Sequence, residues 1–147
     1  MIQLTRSNST TTNNVYLNLY DEMTSTDYHV LVSVTSQLTG KTKTFRPTTI
    51  YTNKDRYTQM LIYVANSAAS ENLGSGVAFL GSTDFPLGFY DVVIYQNNNN
   101  TNLDPANAIK TIYTGLANLS PTDAVEPVDY TEYTTNDSDT ESVYITF

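Results

Sequence analysis

The chain has 147 residues, a net charge of −8 and no cysteine. That length suits a single domain, which can bury roughly 68–70% of its unfolded surface without covalent staples. The lack of cysteine excludes disulfides and thiolate metal sites, and a composition rich in Thr, Asn, Ser and Tyr favours pleated strands and polar turns over helices.

The charge is unevenly placed. Residues 1–120 hold eight acids and seven bases, whereas 121–147 hold Asp123, Glu126, Asp129, Glu132, Asp137, Asp139 and Glu141 with no base. An arm carrying −7 repels phosphate, so no nucleic-acid partner is expected. No apolar run of signal or membrane-span length follows Met1, which predicts synthesis in a cytoplasm and no membrane partner. The N-x-S/T triplets at Asn8, Asn99, Asn118 and Asn136 then read as turn composition rather than glycan acceptors.

In chain order, Ile2 and Leu4 suggest a short first strand, and 6–14 a polar loop. N-V-Y-L-N-L-Y puts Val15, Leu17 and Leu19 on one face. After a connector at 21–27, Y-H-V-L-V-S-V-T-S alternates, with Val30, Val32 and Val34 inward and His29, Leu31 and Ser33 outward. L-T-G-K (38–41) is a tight turn into a strand that Pro47 ends, which places that strand at a sheet edge. Residues 56–65 could form a helix through Met60, Leu61 and Val64, but their β-branched and aromatic content favours a strand. Residues 66–76 read as a loop with room for one helical turn, and G-V-A-F-L as a short strand.

The most regular stretch is a long hairpin from Gly88 to Thr114. In its first strand Tyr90, Val92 and Ile94 share one face and Phe89, Val93 and Tyr95 the other, so both faces are expected to be covered. A polar loop at 97–107 leads to a second strand ending near Thr114. About eight short strands with regular turn signals predict an all-β protein, a single antiparallel sandwich of Greek-key or jelly-roll type spanning 1–120. Residues 121–147 read as an extended acidic arm. It closes on S-V-Y-I-T-F, where Val143, Ile145 and Phe147 share a face suited to docking on a sheet.

No cluster of residues demands a reaction. His29 is the only histidine, and without partners it makes neither a zinc site nor a triad. Asp21 with Glu22, or Asp84 with Asp91, could form an acid–base pair, but a chain with fifteen acids supplies such pairs by chance. Gly74-Ser75-Gly76 lacks the spacing and lysine of a phosphate loop. Asn100, Asn102, Asp104 and Asn107 cluster oxygens that calcium could use, with a single carboxylate among them. The tyrosines at 16, 20, 51, 57, 63, 90, 95 and 113 either roof a core or stack sugars on an open face. No enzyme and no cofactor are expected. Five of the seven bases, Lys41, Lys43, Arg46, Lys54 and Arg56, fall within sixteen positions. They read as the guard of an edge strand, or as a receptor for the acidic arm of a second copy.

The segments R-Y-T-Q-M-L-I (56–62), G-F-Y-D-V-V-I-Y-Q (88–96) and N-L-D-P-A-N-A (102–108) form a pattern that resembles small β-rich virion structural proteins of tailed bacteriophages, of the marine and Bacteroidetes-phage type. The resemblance covers roughly residues 2–115 and brings no active-site residue with it. It implies a virion structural protein made in the host cytoplasm, a capsid auxiliary (decoration) or tail/neck component. The partners it implies are other copies in a homo-oligomer and the major capsid or tail proteins. The alternative is a carbohydrate-binding host-attachment module of a tail fibre.

Overall fold

A computed structural model describes residues 1–19, 22–23, 29–47, 50–53, 57–97 and 99–122. They form an all-β domain of two sheets. The strands are β1 (Ile2–Arg6), β2 (Thr11–Leu17), β3 (His29–Ser36), β4 (Thr42–Phe45), β5 (Ile50–Asn53), β6 (Tyr57–Ala65), β7 (Val77–Phe79), β8 (Gly88–Asn97) and β9 (Lys110–Pro121). The first sheet has the order β1-β9-β8-β3-β4, and the second β2-β6-β5 with β7 also paired to β6.

Pairing is mixed, where the alternation pattern suggested an antiparallel fold. β1 lies parallel to β9, with Ile2 opposite Ala117 and Arg6 opposite Pro121, and β7 lies parallel to β6. Both exceptions are strands whose chain neighbours go elsewhere: β1 crosses directly to the other sheet, and β7 follows two short 3-10 turns at Ala68–Ser70 and Leu73–Ser75. By position, β2, β6 and β5 take the places of strands B, E and D of an immunoglobulin-type sandwich, and β3, β8, β9 and β4 those of C, F, G and C′. Tyr90, at the start of β8, donates its hydroxyl to the Pro86 carbonyl at 2.6 Å. That is the corner bond such sandwiches place ahead of strand F.

One core joins the sheets. Leu4, Val32, Val34, Phe45, Tyr90, Ile94 and Leu119 from the first meet Val15, Met60, Ile62, Val64 and Ala78 from the second. Each Val, Leu, Ile, Met or Phe among them contributes about 1.5–3 kcal/mol on leaving water. The segment 57–65 is a strand with Thr58, Met60, Ile62 and Val64 turned inward. The turn at 37–40 closes with Ser36 N–H on the Lys41 carbonyl at 2.9 Å, and Gly40 supplies the positive φ of 74° it needs.

Four expectations change. β2 begins at Thr11, inside the stretch read as a loop, because Asn13 continues the inward row of Val15. Leu31, expected to face out, is fully buried, set in register with the half-buried Tyr95. The outer side of β8 is open only at its start: Phe89 is 51% exposed and Asp91 is exposed, while Val93 and Tyr95 farther along are half-buried. β9 also runs past Thr114 to Pro121, with Ala117 and Leu119 buried, and Thr122 N–H reaches the Arg6 carbonyl at 2.9 Å.

Candidate functional site

The basic cluster resolves into separate local roles. β4 is an edge strand, and alternation turns Lys43 to the same side as the buried Phe45. Lys43 Nζ meets Glu71 Oε2 at 2.5 Å, donates to the Phe79 carbonyl at 2.9 Å and lies 4.4 Å from the centre of the Phe85 ring. Glu71 also accepts the Phe79 N–H at 2.8 Å. This ammonium–carboxylate clamp joins β4 of one sheet to β7 of the other. Arg46 donates to the Gly74 carbonyl at 2.5 Å, which gives Gly74-Ser75-Gly76 a packing role. Lys41 alone of the described three sits in solvent, 3.2 Å from Asp84 with both side chains about 60% exposed. Lys54, Arg56, Asp123, Glu126, Asp129, Glu132, Val143, Ile145 and Phe147 lie outside the described residues.

At the opposite edge an amide does the joining. Asn13 Oδ1 accepts from the Thr5 N–H at 2.8 Å and from its hydroxyl at 3.0 Å, while Asn13 Nδ2 donates to the Thr5 carbonyl at 3.1 Å. One side chain thus stands in for a strand against the free edge of β1.

The remaining candidates occupy ordinary positions. His29 is exposed at the start of β3. Asp84 faces Lys41, and Asp91 accepts from Gln37 Nε2 at 2.9 Å; Asp21 lies outside the described residues, and Glu22 belongs to the turn after Leu19. In the loop after β8, the Asn102 and Asp104 side-chain oxygens accept the Asp104 and Ala106 N–H groups, each at 3.0 Å. Asn102 Nδ2 donates to Asn97 Oδ1 at 2.8 Å. Two of the four side chains considered for calcium, Asn102 and Asp104, thus brace the loop itself. Among the described residues no three of His, Cys, Asp or Glu converge on a metal position, and no helix is long and apolar enough to cross a membrane.

The tyrosines divide by face. Tyr90 is core, and burial pushes its phenol up to about 12. Tyr113 lies inward across Gly115, where a side chain would collide with its ring. Tyr16, Tyr57 and Tyr63 share the outer face of the second sheet. Tyr16 and Tyr57 meet edge to face, with centres 5.5 Å apart at 78°, and are 57% and 39% exposed. Beside them Gln59 Nε2 donates to Asn14 Oδ1 at 3.1 Å. Where β1 approaches β2, Met1, Gln3, Asn14 and Tyr16 line a groove of about 300 Å³. The strands of this sheet, β2, β5, β6 and β7, contain no Asp, Glu, Lys or Arg. Residue type alone could not show this grouping, which follows from the β2–β6 register that sets Tyr16 against Gln59 and Asn14 against Leu61. Comparison with protein-family models, with curated proteins and with solved structures finds no match to this chain.

Proposed function

We propose that this chain is a structural component of a tailed-phage particle, a capsid auxiliary or tail/neck protein that works by assembling with copies of itself and with neighbouring virion proteins. The observation that carries the assembly part is the outer side of the five-stranded sheet. Phe89 on β8 is 51% exposed and Leu116 on β9 is 43% exposed. The register, with Asp91 opposite Leu116, puts the two one diagonal step apart on that side. Leu87, just before β8, is 43% exposed as well. Apolar side chains gathered on an open face lower their free energy when a second protein covers them. The phage setting rests on the resemblance carried by residues 56–62, 88–96 and 102–108, which fall on β6, β8 and the loop before β9.

Sedimentation velocity on the full chain tests the assembly reading. Self-association that is lost in the Phe89→Ser/Leu116→Ser variant is the expected result. Association that survives it but vanishes on deletion of 123–147 would move the contact to the acidic arm. A chain that stays monomeric at every concentration, and is missing by mass spectrometry from particles of the phage that encodes it, would end the proposal.

A further inference from the structure

The geometry points to a binding site for neutral oligosaccharide on the outer face of the second sheet, centred on Tyr16 and Tyr57. Three features combine there. First, Tyr16 is held by an edge-to-face contact with Tyr57, centres 5.5 Å apart, yet keeps 57% of its surface in solvent. A ring fixed before binding loses little entropy when a flat ligand stacks on it. Second, the Gln59–Asn14 hydrogen bond at 3.1 Å uses one donor of Gln59 and the acceptor of Asn14. It leaves Asn14 Nδ2 to donate and Gln59 Oε1 to accept, the paired capacity that adjacent hydroxyls of a pyranose require. Third, the groove beside Tyr16, about 300 Å³ and lined by Met1 and Gln3, extends the site beyond one sugar ring.

Charge selects the ligand class. The chain carries −8, but no strand of this sheet contains an acid or a base. Those strands give an anionic ligand no Lys or Arg to pair with. They give a cationic one no carboxylate either. Sugar rings offer an apolar C–H face for the tyrosines and hydroxyl edges for the amides, and they need no counter-charge. The site stands independently of the assembly reading, since it lies on the other sheet.

The test uses the full chain on an array printed with neutral and acidic bacterial and algal glycans. Titration then follows with cellohexaose and chitohexaose, monitored by ¹H–¹⁵N shifts of Asn14 and Gln59. Binding to neutral glycans is expected, weakened at least about tenfold by Tyr16→Ala, as loss of a stacking anchor implies. Tyr16→Phe should retain most of the affinity, and Gln59→Ala should lose about threefold to tenfold. Phe89→Ser should bind like the parent. Failure to bind any printed or soluble neutral glycan would overturn the proposal, as would selective binding of acidic glycans or equal loss in Tyr16→Ala and Phe89→Ser. If Tyr16→Ala loses its native circular dichroism, the Tyr16→Phe and Gln59→Ala pair decides. Unchanged affinity in Gln59→Ala together with no shift at Asn14 then overturns it.

Discussion

The two sheets share one core and present different outer sides. On the five-stranded sheet the exposed large residues are Phe89 and Leu116, with Asp91 between them in register. On the other sheet they are Tyr16 and Tyr57, with amides beside them and no charge on any strand. Pure hydrocarbon is best covered by another protein surface, while phenol rings with amides tolerate water and still offer a stacking face. The difference teaches that inward residues decide how this fold stands and outward residues decide what it meets. The edges are joined by opposite means too. β4 and β7 are held by the half-buried pair Lys43–Glu71, and β1 and β2 by the neutral amide of Asn13.

If the faces act separately and the clamps serve both, the clamps are where both can be broken at once. Glu71→Ala has the largest expected effect. It strands a Lys43 ammonium whose side chain is only 12% exposed, at a cost of about 3 kcal/mol in urea unfolding. Replacing both partners, as in Lys43→Met/Glu71→Leu, should recover only part of that loss, because the Phe79 N–H and carbonyl lose these partners. Asn13→Ala comes next, at about 2 kcal/mol, because the Thr5 N–H and carbonyl both lose their partner. Thr58→Val should gain about 1 kcal/mol, since its fully buried hydroxyl has no hydrogen-bond partner. Lys41→Ala marks the bottom of the scale at less than about 0.5 kcal/mol, its pair with Asp84 lying open to solvent.

A pH titration sharpens the same contrast between inside and outside. The Tyr90 phenol has its folded pKa raised by burial from 10.0 to about 12. Between those values the native chain holds a proton that the unfolded chain has released. Stability is therefore complete below pH 10 and falls as pH rises toward 12. Tyr90→Phe should flatten that part of the profile in thermal melts and lower stability at neutral pH by about 1 kcal/mol, through loss of the bond to the Pro86 carbonyl.

Much of the inward pattern can be read from alternation. Val30, Val32 and Val34, and Tyr90, Val92 and Ile94, are buried as their spacing implies, and Pro47 follows a strand that is an edge. Lys43 was legible by the same rule, since it shares parity with Phe45, but a lysine amid bases and threonines reads first as a solvent-facing guard. Asn13 shares parity with Val15 and was hidden by its polar neighbours. Glu71 offers no local signal: it lies between two 3-10 turns, and its value comes from partners 28 and 8 residues away in the chain. The parallel seam of β1 on β9 was out of reach because period-2 patterning fixes faces and leaves direction open. The tyrosine face needed the register of β2 against β6, which distant residues set.

That parallel seam has a mechanical consequence. β1 and β9 run side by side in the same direction, from Ile2 opposite Ala117 to Arg6 opposite Pro121. Met1 and the start of the acidic segment therefore leave from opposite ends of the seam. Tension applied between them would slide one strand along the other and load every rung of the ladder together. Peeling, which breaks rungs one after another, would need the two attachment points at the same end. A chain held at Met1 and Thr122 would bear force along the most resistant direction of this seam.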